Sequence, residues 1–146
     1  MIAVGDTAPD FTAQNQDGTP FTLSSLHGSP VILYFYPQAD TPGCTVESKG
    51  FRDVHTEFRS RNVQIVGVSV DDCPAQKAFA DKYTLPFPLI ADTSKSVTKA
   101  YGVLGPRGQA RRVTFLIDGQ GKVLEVVDTS KAPAHVDAAR ARFLKP

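Results

Sequence analysis

Apolar residues follow two different periods along this chain, and the two periods alternate. Residues 31–36 form an unbroken apolar run, rich in β-branched and aromatic side chains, which predicts a strand buried on both faces. Between residues 43 and 60 the apolar side chains fall three to five positions apart, which predicts a helix packed on that strand. The residues of this helical period are Val46, Phe51, Val54 and Phe58. Residues 64–70 then predict a second buried strand.

The rest of the chain continues the alternation and contains two hairpin signals. Asp17-Gly18 separates two short extended segments, and the Asp-Gly-Gln-Gly stretch at 118–121 separates two more. We predict strands at 11–14, 20–23, 88–91, 113–117 and 122–127, and helices at 74–82, 97–101 and 133–144. This order predicts an α/β sandwich with a central mixed sheet, an N-terminal β-hairpin and flanking helices.

Composition narrows the class of protein. The chain has 146 residues, enough for one domain and too few for two, so we expect residues 1–146 to form a single domain. Hydrophobic residues make up 41% and charged residues 21%, which is typical of a globular protein. Because no apolar run approaches the length of a membrane span and no secretory leader is evident, we expect no membrane segment and a cytoplasmic location.

The charged residues and the histidines indicate no further ligand. From Lys95 onward the chain has ten Lys or Arg against four Asp or Glu, but they are scattered and no aromatic residues interleave with them. A solvated basic face explains this better than a nucleic-acid site. His27, His55 and His135 lack acidic or cysteine partners at ligand spacing. We therefore expect no nucleic acid, no metal and no cofactor, and give the histidines surface or packing roles.

The segment after the first buried strand carries the candidate chemistry. That strand ends at Pro37, a tight loop follows, and Cys44 lies at the start of the next predicted helix. Sites in open α/β sheets gather at the carboxyl ends of the strands, and the amino terminus of a helix favours an anion there. Cys44 is therefore either a thiolate nucleophile or, as is common for a lone cysteine, a small buried residue.

The spacing Pro-x-x-x-Thr-x-x-Cys, formed by Pro37, Thr41 and Cys44, resembles the active-site loop of the peroxiredoxins. The likeness is greatest to the peroxiredoxin Q branch, also called bacterioferritin comigratory proteins. Stretches similar to this branch occur in the same order at residues 6–11, 35–37 with 40–45, 85–89 with 91–92, and 112–118. The resemblance implies a thioredoxin-like fold, which the element order also fits. It further implies a thiol-dependent peroxidase that reduces hydrogen peroxide and organic hydroperoxides.

The resemblance also implies a role for each residue of the loop. Cys44 would attack one peroxide oxygen and become a sulfenic acid. The Thr41 hydroxyl, which can donate and accept, would hold the peroxide; without the family match it is an ordinary turn hydroxyl. Pro37 and Pro42 would shape the peroxide pocket. The backbone N–H groups around Gly43 and Cys44 would stabilise charge on the departing oxygen.

A thiolate site of this kind needs a fixed cation, and Arg111 and Arg112 are the two candidates. Neighbouring residues of a strand point to opposite faces, so one can serve the site while the other is solvated. The family pattern Arg-x-Thr-Phe-Leu-Ile-Asp selects Arg112. Glu47 lies one helical turn after Cys44 and could orient Arg112, although an ordinary exposed glutamate is an equally good interpretation.

The second cysteine leaves the recycling step open. Many peroxiredoxin Q proteins have a resolving cysteine five residues after the peroxidatic one, where this chain has Lys49. Cys73 is the only other cysteine and would lie on the active-site side of the sheet. It is either the resolving cysteine or a free thiol in a one-cysteine enzyme. The family implies thioredoxin, glutaredoxin or a low-molecular-weight thiol as the reductant, and a monomer.

Two other functions compete with peroxide turnover. A thiol–disulfide oxidoreductase of the same fold would need Cys-x-x-Cys, whereas the residue three before Cys44 is Thr41. The alternative from another class is a non-catalytic redox sensor or holdase that uses oxidised Cys44 as a switch. The presence of Thr41 and Arg112 favours turnover.

Overall fold

A central sheet of five strands organises the computed structural model, which describes residues 1–144. The strands in chain order are β1 (Thr12–Gln14), β2 (Pro20–Thr22), β3 (Val31–Phe35), β4 (Gln64–Ser69), β5 (Leu89–Ala91), β6 (Val113–Ile117) and β7 (Val123–Asp128). The helices are α1 (Pro42–Asp53), α2 (His55–Ser60), α3 (Cys73–Tyr83), α4 (Ser96–Ala100) and α5 (Ala132–Phe143), with a 3₁₀ turn at Leu23–Leu26.

The sheet is mixed, with β3 at its centre. Its strand order is β5-β4-β3-β6-β7, in which β3, β4 and β5 are parallel to one another while β6 is antiparallel to both β3 and β7. Strands β1 and β2 form a separate antiparallel hairpin. The predicted thioredoxin-like sandwich, with its mixed sheet, N-terminal hairpin and flanking helices, is confirmed.

Both faces of β3 are buried, which explains its unbroken apolar sequence. Val31, Leu33 and Phe35 point into a core shared with α4 and the hairpin. The alternate residues Ile32 and Tyr34 point into a second core, where α1, α2, α3 and α5 pack. Fully burying one large apolar side chain contributes about 1.5–3 kcal/mol, so the two cores together fix the position of the central strand and of the loop that follows it.

The helix predicted over residues 43–60 is wrong in two respects. It is divided at Val54, whose φ of −108° and ψ of 8° separate α1 from α2. Val46, predicted to face the core, is 52% exposed. The buried face of α1 instead carries Cys44, Glu47, Ser48 and Phe51. These residues follow the helical spacing of three and four positions, so the buried face is regular but half polar.

Two further observations complete the fold. The 3₁₀ turn that follows β2 was not predicted, because its Leu-Ser-Ser-Leu sequence has too short an apolar period to indicate a helix. In the part of the chain that the structure describes, none of the helices is both long and apolar enough to cross a membrane.

Candidate active site

The central strand, the loop after it and the first turn of α1 together position Cys44. Strand β3 ends at Phe35, and α1 begins at Pro42, whose fixed φ and missing N–H suit the first helical position. Thr41 precedes the helix in an extended conformation, with φ −100° and ψ 158°. Cys44 follows in the first helical turn and is only 1% exposed. The thiol therefore lies buried at the positive end of the helix dipole.

The loop before α1 is tied to its surroundings by side-chain hydrogen bonds. Asp40 has a φ of 58°, and its carboxylate accepts hydrogen bonds from Lys82 Nζ at 2.9 Å and Tyr83 Oη at 2.8 Å, both on α3. These hydrogen bonds hold the pKa of Asp40 below its usual value. Ala39 N–H donates to Asp71 Oδ2 at 2.8 Å. The loop is thus fixed at both Ala39 and Asp40.

The hydroxyl of Thr41 has a defined direction. Its Oγ1 donates to the carbonyl oxygen of Gln38 at 2.7 Å. Because the hydroxyl has a single hydrogen, its lone pairs remain to accept a hydrogen bond from a neighbouring group. With its hydrogen directed at Gln38, the Thr41 hydroxyl faces other groups as an acceptor.

Arg112 joins two buried groups of α1. Its Nη2 donates to Cys44 Sγ at 3.3 Å and its Nη1 donates to Glu47 Oε1 at 2.8 Å, while its own side chain is 12% exposed. Burial alone would lower the pKa of Arg112, but the charges of Glu47 and Cys44 outweigh burial and raise it. The guanidinium is therefore a permanent cation held against the thiol.

Arg111 lies in a different environment. Its Nη2 donates to both carboxylate oxygens of Asp128, at 2.8 and 2.7 Å, and its side chain is 44% exposed. Both arginines precede β6 rather than belonging to it, yet their side chains still diverge, as the predicted strand alternation required. The residue chosen from the sequence, Arg112, is the one beside Cys44.

Gly43 makes room for the guanidinium. A Cβ placed on Gly43 would lie 2.9 Å from Arg112 Nη2, closer than side-chain carbons approach other atoms. A side chain at position 43 would therefore displace the Arg112 guanidinium, a steric consequence that the sequence alone did not show. Pro42 and Pro37 flank this region from the helix start and from the end of β3.

Gly43→Ala should therefore reduce peroxide reactivity without destabilising the fold. Alanine is favoured over glycine within a helix by roughly 0.5–1 kcal/mol, so the variant should unfold at the same or higher denaturant concentration. Displacing the guanidinium should slow Cys44 oxidation by about 10- to 10²-fold. Val46→Ala, on the exposed face of the same helix, is the matched control. Wild-type oxidation kinetics in Gly43→Ala would show that Arg112 does not need this position.

Glu47 is fully buried, contrary to the interpretation of an exposed glutamate. Burial raises its pKa to about 8, although the charge and hydrogen bond of Arg112 act in the opposite direction. Its second oxygen, Oε2, has no hydrogen-bond partner among residues 1–144 and lies 3.4 Å from Nδ1 of His135.

His135 is the residue of this region that the sequence did not indicate. It is fully buried, its Nδ1 lies 2.7 Å from Thr114 Oγ1, and its Nε2 lies 2.8 Å from the carbonyl oxygen of Thr129. Burial lowers its pKa, and the nearby charge of Arg112 acts in the same direction. Of the surface and packing roles expected for this histidine, its burial beside Glu47 corresponds to packing.

Cys73 begins α3, directly after β4, the strand parallel and adjacent to β3. The Asp72 side chain accepts from Ala75 N–H at 2.9 Å and so caps the helix. The Cys73 thiol is half-buried and donates to Gln14 Oε1 at 3.3 Å, and both cysteines are free. Cys73 thus lies at the sheet edge expected from the sequence, with its thiol directed at the hairpin.

A groove of about 400 Å³ lies beside Arg112. It is lined by Pro37, Arg111, Arg112, Asp128, Thr129 and Ser130. Within residues 1–144 no three His, Cys, Asp or Glu side chains are grouped closely enough to hold a metal ion. The groups that the structure does bring together here are the Cys44 thiol, the Arg112 guanidinium and the Glu47 carboxyl.

Comparison with known proteins gives consistent matches over nearly the whole chain. The model of the AhpC/TSA family matches residues 4–126. The chloroplastic peroxiredoxin Q of Sedum lineare is 39% identical over 139 residues, which cover 93% of this chain and 75% of that protein. The crystal structure of the peroxidoxin BcpB from Mycobacterium tuberculosis superposes with a TM-score of 0.93 at 39% identity, covering 99% of this chain and 97% of the other.

A further structural match comes from Xanthomonas campestris. It is the bacterioferritin comigratory protein, described for its alkyl peroxide reduction activity. The match has a TM-score of 0.86 at 30% identity and covers 92% of this chain and 90% of that chain.

Proposed function

The chain belongs to the AhpC/TSA family, as a peroxiredoxin of the peroxiredoxin Q type, and on this basis we propose how its residues carry out the reaction. It is a thiol-dependent peroxidase, an oxidoreductase whose substrate is a peroxide and whose electrons come from a thiol reductant. The prediction from the sequence is confirmed at this level, and the comparisons do not favour the alternative of a non-catalytic sensor.

Cys44 is the peroxidatic nucleophile. Its thiolate sulfur attacks one oxygen of the hydroperoxide, a sulfur–oxygen bond forms, and the oxygen–oxygen bond breaks. The sulfur becomes a sulfenic acid, and the other oxygen leaves as hydroxide or alkoxide and takes up a proton to give water or an alcohol. The observation that carries this assignment is the contact of 3.3 Å between Arg112 Nη2 and Cys44 Sγ in a buried site.

The surrounding groups stabilise charge at successive stages. Arg112 stabilises the thiolate and then the charge that develops on the peroxide oxygens. Thr41 Oγ1, whose hydrogen is directed to Gln38, accepts a hydrogen bond from the peroxide O–H. Thr45 N–H donates a backbone hydrogen bond to the Thr41 carbonyl. The N–H groups of Gly43 and Cys44 come earlier in the helix, where N–H groups have no partner within the helix, so they are available to the leaving oxygen.

A peroxide-consumption assay tests this function. We expect the reduced protein to consume hydrogen peroxide and an organic hydroperoxide catalytically when a thiol reductant is supplied. Parallel assays with thioredoxin, glutaredoxin and a small thiol identify the reductant, and thioredoxin is the one we propose. Consumption that stops after one equivalent with every reductant would favour a sensor instead.

Cys73 is the resolving cysteine in our proposal. Its place at the end of the strand beside β3, and the lack of any other cysteine in the sequence, support this role. The two thiols begin different helices, so the first turn of α1 has to unwind before they meet. The hydrogen bonds of Ala39 and Asp40 oppose that unwinding, because they hold the preceding loop in place.

Mass spectrometry under non-reducing conditions decides the resolving step. Peroxide-treated wild-type protein should contain an intramolecular Cys44–Cys73 disulfide. Cys73→Ser should still form the Cys44 sulfenic acid but lose turnover with thioredoxin. A stable Cys44 sulfenic or sulfinic acid in the wild type, together with normal turnover of Cys73→Ser, would establish a one-cysteine mechanism.

The remaining proposals concern the whole protein. We propose that residues 1–146 form one peroxiredoxin domain that acts as a monomer, which sedimentation of the reduced and oxidised forms tests. We also propose a cytoplasmic location, because a thiol-recycled peroxidase needs a compartment that keeps thiols reduced. Cell fractionation of the native producer tests the location.

A further inference from the structure

A buried polar cluster adjoins Arg112 through its contact with Glu47. Glu47 on α1, Thr114 on β6 and His135 on α5 are all fully buried. Arg112 donates a hydrogen bond to one carboxyl oxygen of Glu47, and the other oxygen lies 3.4 Å from His135 Nδ1. The cluster thus connects α5 to the peroxidatic cysteine through Glu47 and Arg112.

The hydrogen bonds of His135 determine where its proton lies. Nε2 is 2.8 Å from the carbonyl oxygen of Thr129, which can only accept, so Nε2 carries a hydrogen. In a neutral imidazole Nδ1 is then an acceptor, and the Thr114 hydroxyl at 2.7 Å is its donor. That single lone pair is directed at Thr114, so Nδ1 offers no donor to Glu47 Oε2, which lies 3.4 Å away.

This arrangement is unfavourable if Glu47 is charged and His135 is neutral. Oε2 of Glu47 would then be a buried anionic oxygen without a donor among the described residues, opposite another acceptor. An unsatisfied buried charge of this kind is costly in a low-dielectric interior. A single proton, held on Oε2 of Glu47 or on Nδ1 of His135, removes the conflict in either position.

We propose that His135 is a positioning residue of the peroxidase site, which shares one buried proton with Glu47 and thereby keeps the charge of Arg112 available to Cys44. The inference deepens the proposed function and depends on it. While the proton is present, Glu47 and His135 together are neutral, and Arg112 acts on the thiolate and the peroxide. When the proton is lost, a full negative charge competes with Cys44 for the same guanidinium.

The charges around the pair are consistent with a proton that resides mainly on Glu47. Burial raises the pKa of Glu47 to about 8, whereas it lowers the pKa of His135. Arg112 faces the pair from the segment before β6, Tyr34 interacts with Glu47 from β3, and Asp128 interacts with His135 from the end of β7. Because the pKa of Glu47 is raised, the pair keeps its proton below about pH 8 and loses it above that pH.

The rate of Cys44 oxidation as a function of pH tests the proposal. A Cys73→Ser background leaves Cys44 as the single thiol, and hydrogen peroxide is the oxidant. Glu47→Gln mimics the protonated carboxyl, since it keeps an oxygen for Arg112 and has no proton to lose. We expect the ratio of the parent rate to the Glu47→Gln rate to be constant below about pH 7 and to fall several-fold above about pH 8.

His135→Gln separates a positioning role from a purely structural one. The glutamine amide can still reach the Thr129 carbonyl but has no group in the place of Nδ1. The nitrogen that can hold the shared proton is then lost, so Glu47 should lose its proton more readily. The fall in rate should begin at lower pH than in the parent. An unchanged pH profile in His135→Gln would overturn the proposal while leaving the peroxidase assignment intact.

Nuclear magnetic resonance of the parent protein provides a readout that needs no variant and no activity. The ring nitrogens of His135 should show the Nε2–H tautomer, and the Glu47 carboxyl carbon should titrate near pH 8. A Glu47 carboxyl that titrates at the ordinary acidic pKa of glutamate, or an Nδ1–H tautomer of His135, would contradict the shared proton. Failure of the wild-type protein to consume peroxide would instead contradict the proposed function.

Discussion

Cys44→Ser is expected to abolish hydroperoxide reduction while the fold stays intact. Serine places an oxygen where the sulfur lies, but its hydroxyl is not ionised near neutral pH and cannot attack the peroxide as a thiolate does. The thiol is buried and makes its one side-chain hydrogen bond with Arg112, so the smaller oxygen should fit without rearrangement. Peroxide consumption with an excess of reductant measures the loss, and circular dichroism checks the fold.

Cys73→Ser is the matched control, because it removes the other thiol and leaves the contacts of Cys44 unchanged. Its first oxidation step should proceed at the wild-type rate even if its later recycling is impaired. Substantial catalytic peroxide consumption by Cys44→Ser would refute the assignment of the nucleophile, whatever the behaviour of Cys73→Ser.

Arg112→Ala is expected to have the second largest effect. Without the guanidinium, the thiolate fraction of Cys44 at neutral pH falls and the charge developing on the peroxide loses its donor. Removal of one such donor typically costs on the order of 10²-fold or more in rate. The substitution also leaves the buried Oε1 of Glu47 without its hydrogen-bond donor, so the free energy of unfolding should fall as well. Stopped-flow oxidation kinetics and denaturant unfolding measure the two effects separately.

Two variants distinguish the chemical effect of Arg112 from a loss of structure. Arg112→Lys keeps a charge near Glu47 but cannot contact both groups through a planar fork, so it should be more stable than Arg112→Ala and still slow. Arg111→Ala should be mild, because Arg111 is paired with Asp128 at the surface. A severe effect of Arg111→Ala with a mild effect of Arg112→Ala would mean that the side chains before β6 are assigned to the wrong positions.

The sequence was sufficient for the sheet and for the main residues of the site. Strand β3 is an unbroken run of apolar residues, as expected for a central strand buried on both faces. Pro37, Thr41 and Cys44 follow it at a spacing that few other loops share. Arg112 was found through a family pattern rather than through physics, because nothing local shows that a residue 68 positions after Cys44 returns to it.

The buried polar cluster could not be predicted, and the reason is physical. Periodicity detects apolar residues, so it placed Val46 in the core and gave no sign that Glu47 and Ser48 are buried, whereas α1 buries both polar residues. Their burial depends on partners from distant elements, such as Arg112 and His135. A buried glutamate and a buried histidine look like surface residues in a sequence until the fold brings them together.

The role of Cys44 as the nucleophile is tested by mass spectrometry of the reduced protein after one equivalent of hydrogen peroxide in the presence of a sulfenic-acid trap. We expect the trap on Cys44, or a Cys44–Cys73 disulfide where resolution is faster than trapping, with the peroxide fully consumed. In the Cys73→Ser variant we expect the trap to label Cys44 alone. A trap found on Cys73 while Cys44 stays reduced, or peroxide left unconsumed by the wild-type protein, would contradict the assignment of Cys44 as the nucleophile.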